Sequence, residues 1–197
     1  MSHDKYTTEA FILREYEQGE HDIVYKVWTR EFGIIFAIAK SIRKINAKLR
    51  PIIKKNDFII ITLVKGRDIW RLVGAEELFL DLNSNITKSW SFKAKKVISE
   101  IIFKFIEEKK TYKKLFDKIK SIFFLDQGVD ILEINNFKIL IYYLVLVDTG
   151  YADASIIGAK DIEEYKSFSV KDFYTHFILN EKEVKKHVLH VLRETML

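Results

Sequence analysis

From Thr7 to about Leu80, runs of β-branched and aromatic residues are divided by glycine or charged breaks, a pattern of short strands rather than helices. Five strands are predicted: Thr8–Tyr16, Ile23–Thr29, Ile34–Lys40, Phe58–Val64 and Trp70–Leu80. The breaks Gln18-Gly19-Glu20, Glu31-Phe32-Gly33 and Lys65-Gly66-Arg67-Asp68 suit tight, hairpin-type connections. The connection between the third and fourth strands is longer and carries Ile42, Ile45, Leu49 and Ile52 at helical spacing. One or two helical turns are expected there, stopping at Arg50 because a residue before proline disfavours the helical region. Five strands with a long, partly helical crossover between the third and fourth follow the plan of the OB fold, a small Greek-key barrel that binds oligonucleotides.

After Asp81 the polar stretch from Leu82 to Ser89 marks a boundary, and the periodicity becomes helical. Val97, Ile98, Ile101, Ile102, Phe105 and Ile106 form one apolar stripe, and Tyr112, Leu115, Phe116, Ile119, Ile122 and Phe123 a second. The run from Phe137 to Val147 is apolar nearly all round, so it predicts a central buried helix closed by Gly150 at its C′ position. Ser169 with Asp172, and Asn180 with Glu183, are expected to start two final helices. The expected class is therefore α+β: an N-terminal five-stranded OB-fold barrel over residues 1–81, then an all-α helical domain over 82–197.

Composition sharpens this picture in two places. With 48% apolar residues, the 197-residue chain can bury a real core, and disorder is not expected. The net charge is only +5, so whole-chain basicity says little and distribution must carry the argument. Between Glu31 and Asp57 no acid occurs, whereas Ala39 to Lys55 contains Lys40, Arg43, Lys44, Lys48, Arg50, Lys54 and Lys55. Six arginines, Arg14, Arg30, Arg43, Arg50, Arg67 and Arg71, fall in the first 71 residues and leave only Arg193 beyond them. Guanidinium forks phosphate better than ammonium does, and fixed positive charge on a folded domain suits a polyanion. The competing reading is a solvated loop in a lysine-rich protein. The apolar residues of the connection are expected to pack on the barrel and turn the charges outward.

Other chemistries find less support. No cysteine is present, which excludes disulfides, thiolate zinc sites, iron–sulfur clusters and thiol catalysis. No glycine-rich phosphate loop, HExxH, GxSxG elbow or two-metal acid cluster occurs, so the chain is not expected to be an enzyme, nor to need a cofactor or metal. His187 and His190, with Glu183 and Glu194 a turn either way, share a helical face but lack a third convergent ligand. Neither an apolar leader nor a run near twenty apolar residues is present, and a cytoplasmic location without membrane insertion is expected. The lysines of 93–96 and 109–120 are expected on solvated faces. Trp28, Phe36, Trp70 and Tyr25 are candidates to stack bases, each contact being worth roughly 1–3 kcal/mol. Filling the barrel is the competing role for each; Lys26, on the face of Trp28, argues for an outward Trp28.

Several short pieces in fixed order resemble the bacterial recombination mediator family RecO. They are Thr8-Glu9-Ala10-Phe11-Ile12-Leu13, Gly19-Glu20-His21-Asp22-Ile23, Trp28-Thr29-Arg30-Glu31-Phe32-Gly33, Ala39-Lys40, Lys65-Gly66-Arg67 and Gly74-Ala75-Glu76. A fainter echo, Phe137 through Gly150-Tyr151, is similar to the helix that ends in a Gly-Tyr pair in the family's helical domain. The resemblance implies an OB domain followed by a helical domain. It also implies a nucleoid-associated bacterial protein that binds single- and double-stranded DNA and anneals strands. With RecR as partner, such a protein assists recombinase loading on strands coated by single-strand-binding protein. Three features depart from the family pattern: Ser41 replaces the usual glycine after Ala-Lys, the crossover is short, and ADASIIGAKDIEEYKSF stands where many relatives carry a four-cysteine zinc motif. These departures bear more on RecR binding than on DNA binding.

The expected nucleic-acid contacts are Arg43, Lys44, Lys48 and Arg50, flanked by Lys40, Lys54, Lys55, Lys26 and Arg30, with Trp28 as a possible stacking residue. Four to six engaged cations predict a log–log salt slope of roughly −3 to −5. The rival functions are an RNA-binding OB protein, separable by DNA–RNA competition, and a protein-binding adaptor that has lost nucleic-acid binding.

Overall fold

The computed structural model describes residues 4–67, 69–78, 88–108, 110–124, 133–160 and 162–195. Five strands form in the predicted places: β1 (Lys5–Gln18), β2 (Asp22–Thr29), β3 (Gly33–Ala39), β4 (Phe58–Lys65) and β5 (Trp70–Glu77). They close into a barrel in the order β1-β2-β3-β5-β4, the OB-fold arrangement, with β3 and β5 parallel and the other pairs antiparallel. The last residues assigned by sequence to the fifth strand, Phe79 and Leu80, lie outside the described residues.

Closure depends on β1 serving two neighbours. Its first half pairs with β4 (Lys5↔Val64 to Phe11↔Phe58) and its second half with β2 (Ala10↔Thr29 to Gln18↔Asp22). The register shifts between Ile12 and Arg14, where the Ile12 amide donates to the Asp57 carbonyl at 3.0 Å and the Asn56 amide to the Ile12 carbonyl at 2.7 Å. Such a bulge bends a strand, which lets β1 reach both partners. Ala10, Phe11, Ile12 and Leu13 are all fully buried, as expected for a bend with core on both faces.

Inside the barrel, Ala10, Ile12, Tyr25, Val27, Ile35, Ala37, Ile59, Ile61, Leu63 and Leu72 share one cluster with Ile42 and Ile53 of the β3–β4 connection. Leu49 of the same connection packs against this cluster from its edge. Ile42, Leu49 and Ile53 therefore bind the connection to the barrel core, and phase it. Near Phe32, the rings of Tyr6, Phe32 and Trp70 meet at 5.0–5.7 Å, and Phe32 and Trp70 also pack on the cluster.

Residues 1–82 form one compact unit together with 107–113, and residues 83–106 with 114–197 form the other. The short 107–113 piece lies over β2 and β3: Glu108 makes a parallel bridge with Ile34, its carboxylate takes Lys26 Nζ at 2.6 Å, and Lys113 pairs with Glu31.

The helical unit contains α1 (Lys88–Phe105), α2 (Lys113–Phe123), α3 (Ile134–Asp148), α4 (Ile162–Ser167), α5 (Val170–Leu179) and α6 (Glu181–Thr195), with a 3-10 turn at Ala154–Ile157. α3 is the all-apolar run, with Phe137, Leu140, Ile141, Tyr143, Leu144, Val145, Leu146 and Val147 buried. It ends as expected in a Schellman motif: Gly150 sits at φ 85°, its amide reaches Val147, and the Tyr151 amide reaches Leu146. Ser169 and Asp172 form a full capping box at the start of α5. Asn180 stands, as expected, directly before α6, where its carbonyl accepts the Val184 amide at 3.0 Å, but its side-chain amide donates to the His176 carbonyl at 2.9 Å and so also closes α5.

One lysine of the α2 face is also not solvated. Lys118 is 8% exposed, donates to the Tyr165 carbonyl at 3.0 Å and lies 4.0 Å from the Tyr165 ring centroid. The Tyr165 hydroxyl donates to Asp148 at 2.9 Å. Burial lowers the Lys118 pKa, against the opposing effect of Asp148, and burial raises that of Asp148.

Candidate nucleic-acid interface

The basic connection begins where β3 ends. The Asp22 carboxylate, at the start of β2, accepts from Lys40 Nζ at 2.6 Å and from the Ser41 amide at 2.7 Å, which pins the exit from the barrel. Those two donors, Lys40 first, hold the Asp22 carboxyl below its usual range. Ser41 takes φ 56°, a left-handed conformation that glycine adopts at much lower cost. The Arg43 amide donates to the His21 carbonyl at 3.0 Å, and its guanidinium lies 3.1 Å from Glu17 and 3.4 Å from the Gly19 carbonyl. Arg43 thus ties the connection to the β1–β2 turn.

Beyond Arg43 the chain runs through successive turns, not the expected helix. Amide-to-carbonyl bonds link Lys44 to Ser41, Ala47 to Lys44, and Arg50 to Ala47. Pro51 does not end this run, because the amides of Ile52 and Ile53 both reach the Leu49 carbonyl at 3.1 Å. The expected stop at Arg50 is therefore not observed. Proline lacks only its own amide, and the turn uses the two that follow. Helical spacing also misassigned Ile45, which is 97% exposed, while Ile42 is 2% and Ile53 6% exposed.

The nine predicted cations fall into two groups. Lys44, Lys48, Arg50, Lys54 and Lys55 are exposed, and no carboxylate among the described residues pairs with them. The other four face acids: Lys40 with Asp22, Arg43 with Glu17, Arg30 with Glu31 at 2.7 Å, and Lys26 with Glu108. Lys26 is only 12% exposed, so its charge is spent inside the barrel unit. Lys113, then Arg30, hold the Glu31 carboxyl below its usual value.

Trp28 is fully buried, and a wholly buried indole offers no face to a base. The face it shares with Lys26 is a covered one, which period-2 alternation alone does not reveal. Tyr25 is also interior, at 2% exposure, and burial pushes its hydroxyl pKa up to about 12. Trp70 packs against the core. Of the four aromatic candidates only Phe36 remains at the surface, its ring 6.4 Å from that of exposed Tyr16 and 5.4 Å from Lys26 Nζ. Sequence reasoning passed over Tyr16; its signal was the isolated aromatic within the charged end of β1. Exposed Lys65, Arg67 and Arg71, around the β4–β5 turn, were also not among the expected contacts.

In the helical unit, His190 lies 3.3 Å from Glu194, and no group of metal-ligating side chains gathers among the described residues. Nor is any described helix long and apolar enough to cross a membrane.

The comparisons with known proteins agree with the barrel. The family model described as recombination protein O N terminal matches residues 1–76, which hold all five strands except the last residue of β5. A DNA repair protein RecO of Alkaliphilus metalliredigens is 30% identical over 112 residues, covering 56% of this chain and 44% of that protein. One from Dehalococcoides mccartyi is 28% identical over 122 residues, 60% of this chain and 46% of the relative. One from Gloeobacter violaceus is 32% identical over 80 residues, 40% and 30% respectively. The match thus spans less than half the length of these curated relatives. Fold and family model coincide on the first 76 residues, where the barrel is similar to the N-terminal domain of recombination protein O, and the relatives that the chain resembles are DNA repair proteins named RecO.

Proposed function

We propose that the chain binds DNA through the β3–β4 connection and acts as a RecO-type mediator, promoting annealing of complementary strands. The observation that carries this reading is the set of five exposed cations, Lys44, Lys48, Arg50, Lys54 and Lys55, with no acid between Glu31 and Asp57 and no carboxylate partner among the described residues. A cation already paired gives up a partner when it meets phosphate, whereas these release only the counterions of the nucleic acid. Arg43 and Lys40 act as anchors of the connection and as secondary contacts. Phe36 and Tyr16 supply an exposed aromatic pair for unstacked bases, a sequence-tolerant contact. The mechanism is charge neutralisation that lets two strands approach, without readout of base identity.

Recombinase loading on strands coated by single-strand-binding protein, and association with RecR, are the parts of this reading that rest on the resemblance alone. Filter retention of a labelled oligo-dT at low and moderate salt is the first test, followed by annealing of labelled complementary strands. Strong retention at low salt that declines with salt is expected. Absence of retention at low salt would sink the proposal and leave the adaptor reading.

A further inference from the structure

The least buried large apolar side chain among the described residues is Ile45, at 97% exposure, and it stands inside the most cationic stretch of the chain. Two turn hydrogen bonds flank it, Lys44 amide to Ser41 carbonyl at 3.2 Å and Ala47 amide to Lys44 carbonyl at 3.1 Å. Ile42, Leu49 and Ile53 hold the same connection to the barrel core, so Ile45 is presented from an anchored segment. An exposed isoleucine surrounded by lysines gains nothing from the folded chain. It does gain if phosphates drawn to Lys44 and Lys48 bring bases against it.

The geometry points to Ile45 as an apolar wedge that enters between neighbouring bases of a bound single strand, a role resting on the DNA-binding reading above. Aliphatic side chains serve as wedges between base steps in other DNA-binding proteins. Opening a paired step costs more than one isoleucine recovers, whereas an unpaired strand is cheaper to unstack, so the single strand is the fitting ligand. An unstacked strand held at its backbone leaves its base edges free to find a complement, which suits annealing. A single isoleucine beside lysines would also suit an anionic membrane surface, and the test separates the two.

The test uses an oligo-dA carrying one 2-aminopurine, whose emission rises when it leaves the stack. Wild-type protein should raise the emission. Ile45→Ala should remove most of that rise and weaken binding roughly five- to tenfold, with the salt slope unchanged because no charge is lost. Ile45→Leu should keep the rise. Because Ile45 is almost wholly exposed, neither change threatens the fold. An Ile45→Ala protein that binds and brightens the probe like wild type overturns the wedge while leaving DNA binding intact. Wild-type protein that does not retain the oligonucleotide overturns both. Loss on Ile45→Ala of binding to phosphatidylserine vesicles, with 2-aminopurine emission unaffected, would assign Ile45 to a membrane instead.

Discussion

Ser41 shows how a single backbone conformation controls the basic connection. Its left-handed φ of 56° turns the chain out of β3 while its amide is held by Asp22. A residue with a side chain pays for that conformation, and glycine does not. Ser41→Gly should therefore raise the stability of the barrel by about 1 kcal/mol, read as a shift in the urea midpoint at constant slope. The glycine usual after Ala-Lys in the family that the barrel resembles marked this position in the sequence, although nothing in the residue itself announced a positive φ. Trp28 and Lys26 were misread for a related reason. Alternation puts them on one face, and only the tertiary structure tells that Glu108 meets Lys26 there and that the indole is buried.

At the scale of elements, three helices of the C-terminal unit meet in a polar contact that an apolar stripe could not predict. α2 contributes Lys118, α3 its terminal Asp148 and α4 Tyr165. Tyr165 is fully buried, and its hydroxyl and carbonyl each have a partner there. Because burial raises the Asp148 pKa above 3.8, the native state holds a proton that the unfolded chain releases. The contribution of this group is present at acid pH and is lost as pH rises from about 3.8 through the raised value. Half-buried Asp22 and exposed Asp172, whose pKa values are lowered, push stability the opposite way. The difference between wild type and Asp148→Asn isolates the buried group. Urea unfolding of both across pH 4–7 should show the stability of wild type relative to the variant falling as pH rises, and a constant difference would contradict the assignment.

Regular elements were legible because each rests on local pattern. β-Branched runs gave the strands, an all-apolar run gave α3, and Ser169 with Asp172 gave the start of α5. What escaped was set by distant partners. The 107–113 piece reads as part of a helical half, yet Glu108 and Lys113 tie it to Lys26 and Glu31, far away in sequence. Ile45 has the spacing of a packing residue, but the connection coils into turns anchored at Ile42, Leu49 and Ile53, which leaves it outside.

For the molecule as a whole, two layers of charge emerge from one basic sequence. Lys26, Arg30, Lys40 and Arg43 meet acids of the barrel unit, whereas Lys44, Lys48, Arg50, Lys54 and Lys55 do not. The small net charge of +5 hides this, because the acids that balance the chain lie outside residues 32–56. Long-range attraction to a polyanion depends on where uncompensated charge sits, and here five such cations sit on one connection held to the barrel core by three apolar anchors, beside exposed Lys65, Arg67 and Arg71 of the β4–β5 turn.

The most direct measurement of that claim is the salt dependence of oligo-dT affinity. Five engaged cations at about 0.7 each give a log–log slope near −3.5, and replacing Lys44, Lys48 and Lys54 together by alanine should reduce its magnitude by about 2. A slope that does not change in the triple variant, while the protein stays folded and still binds, would place the DNA elsewhere on the molecule.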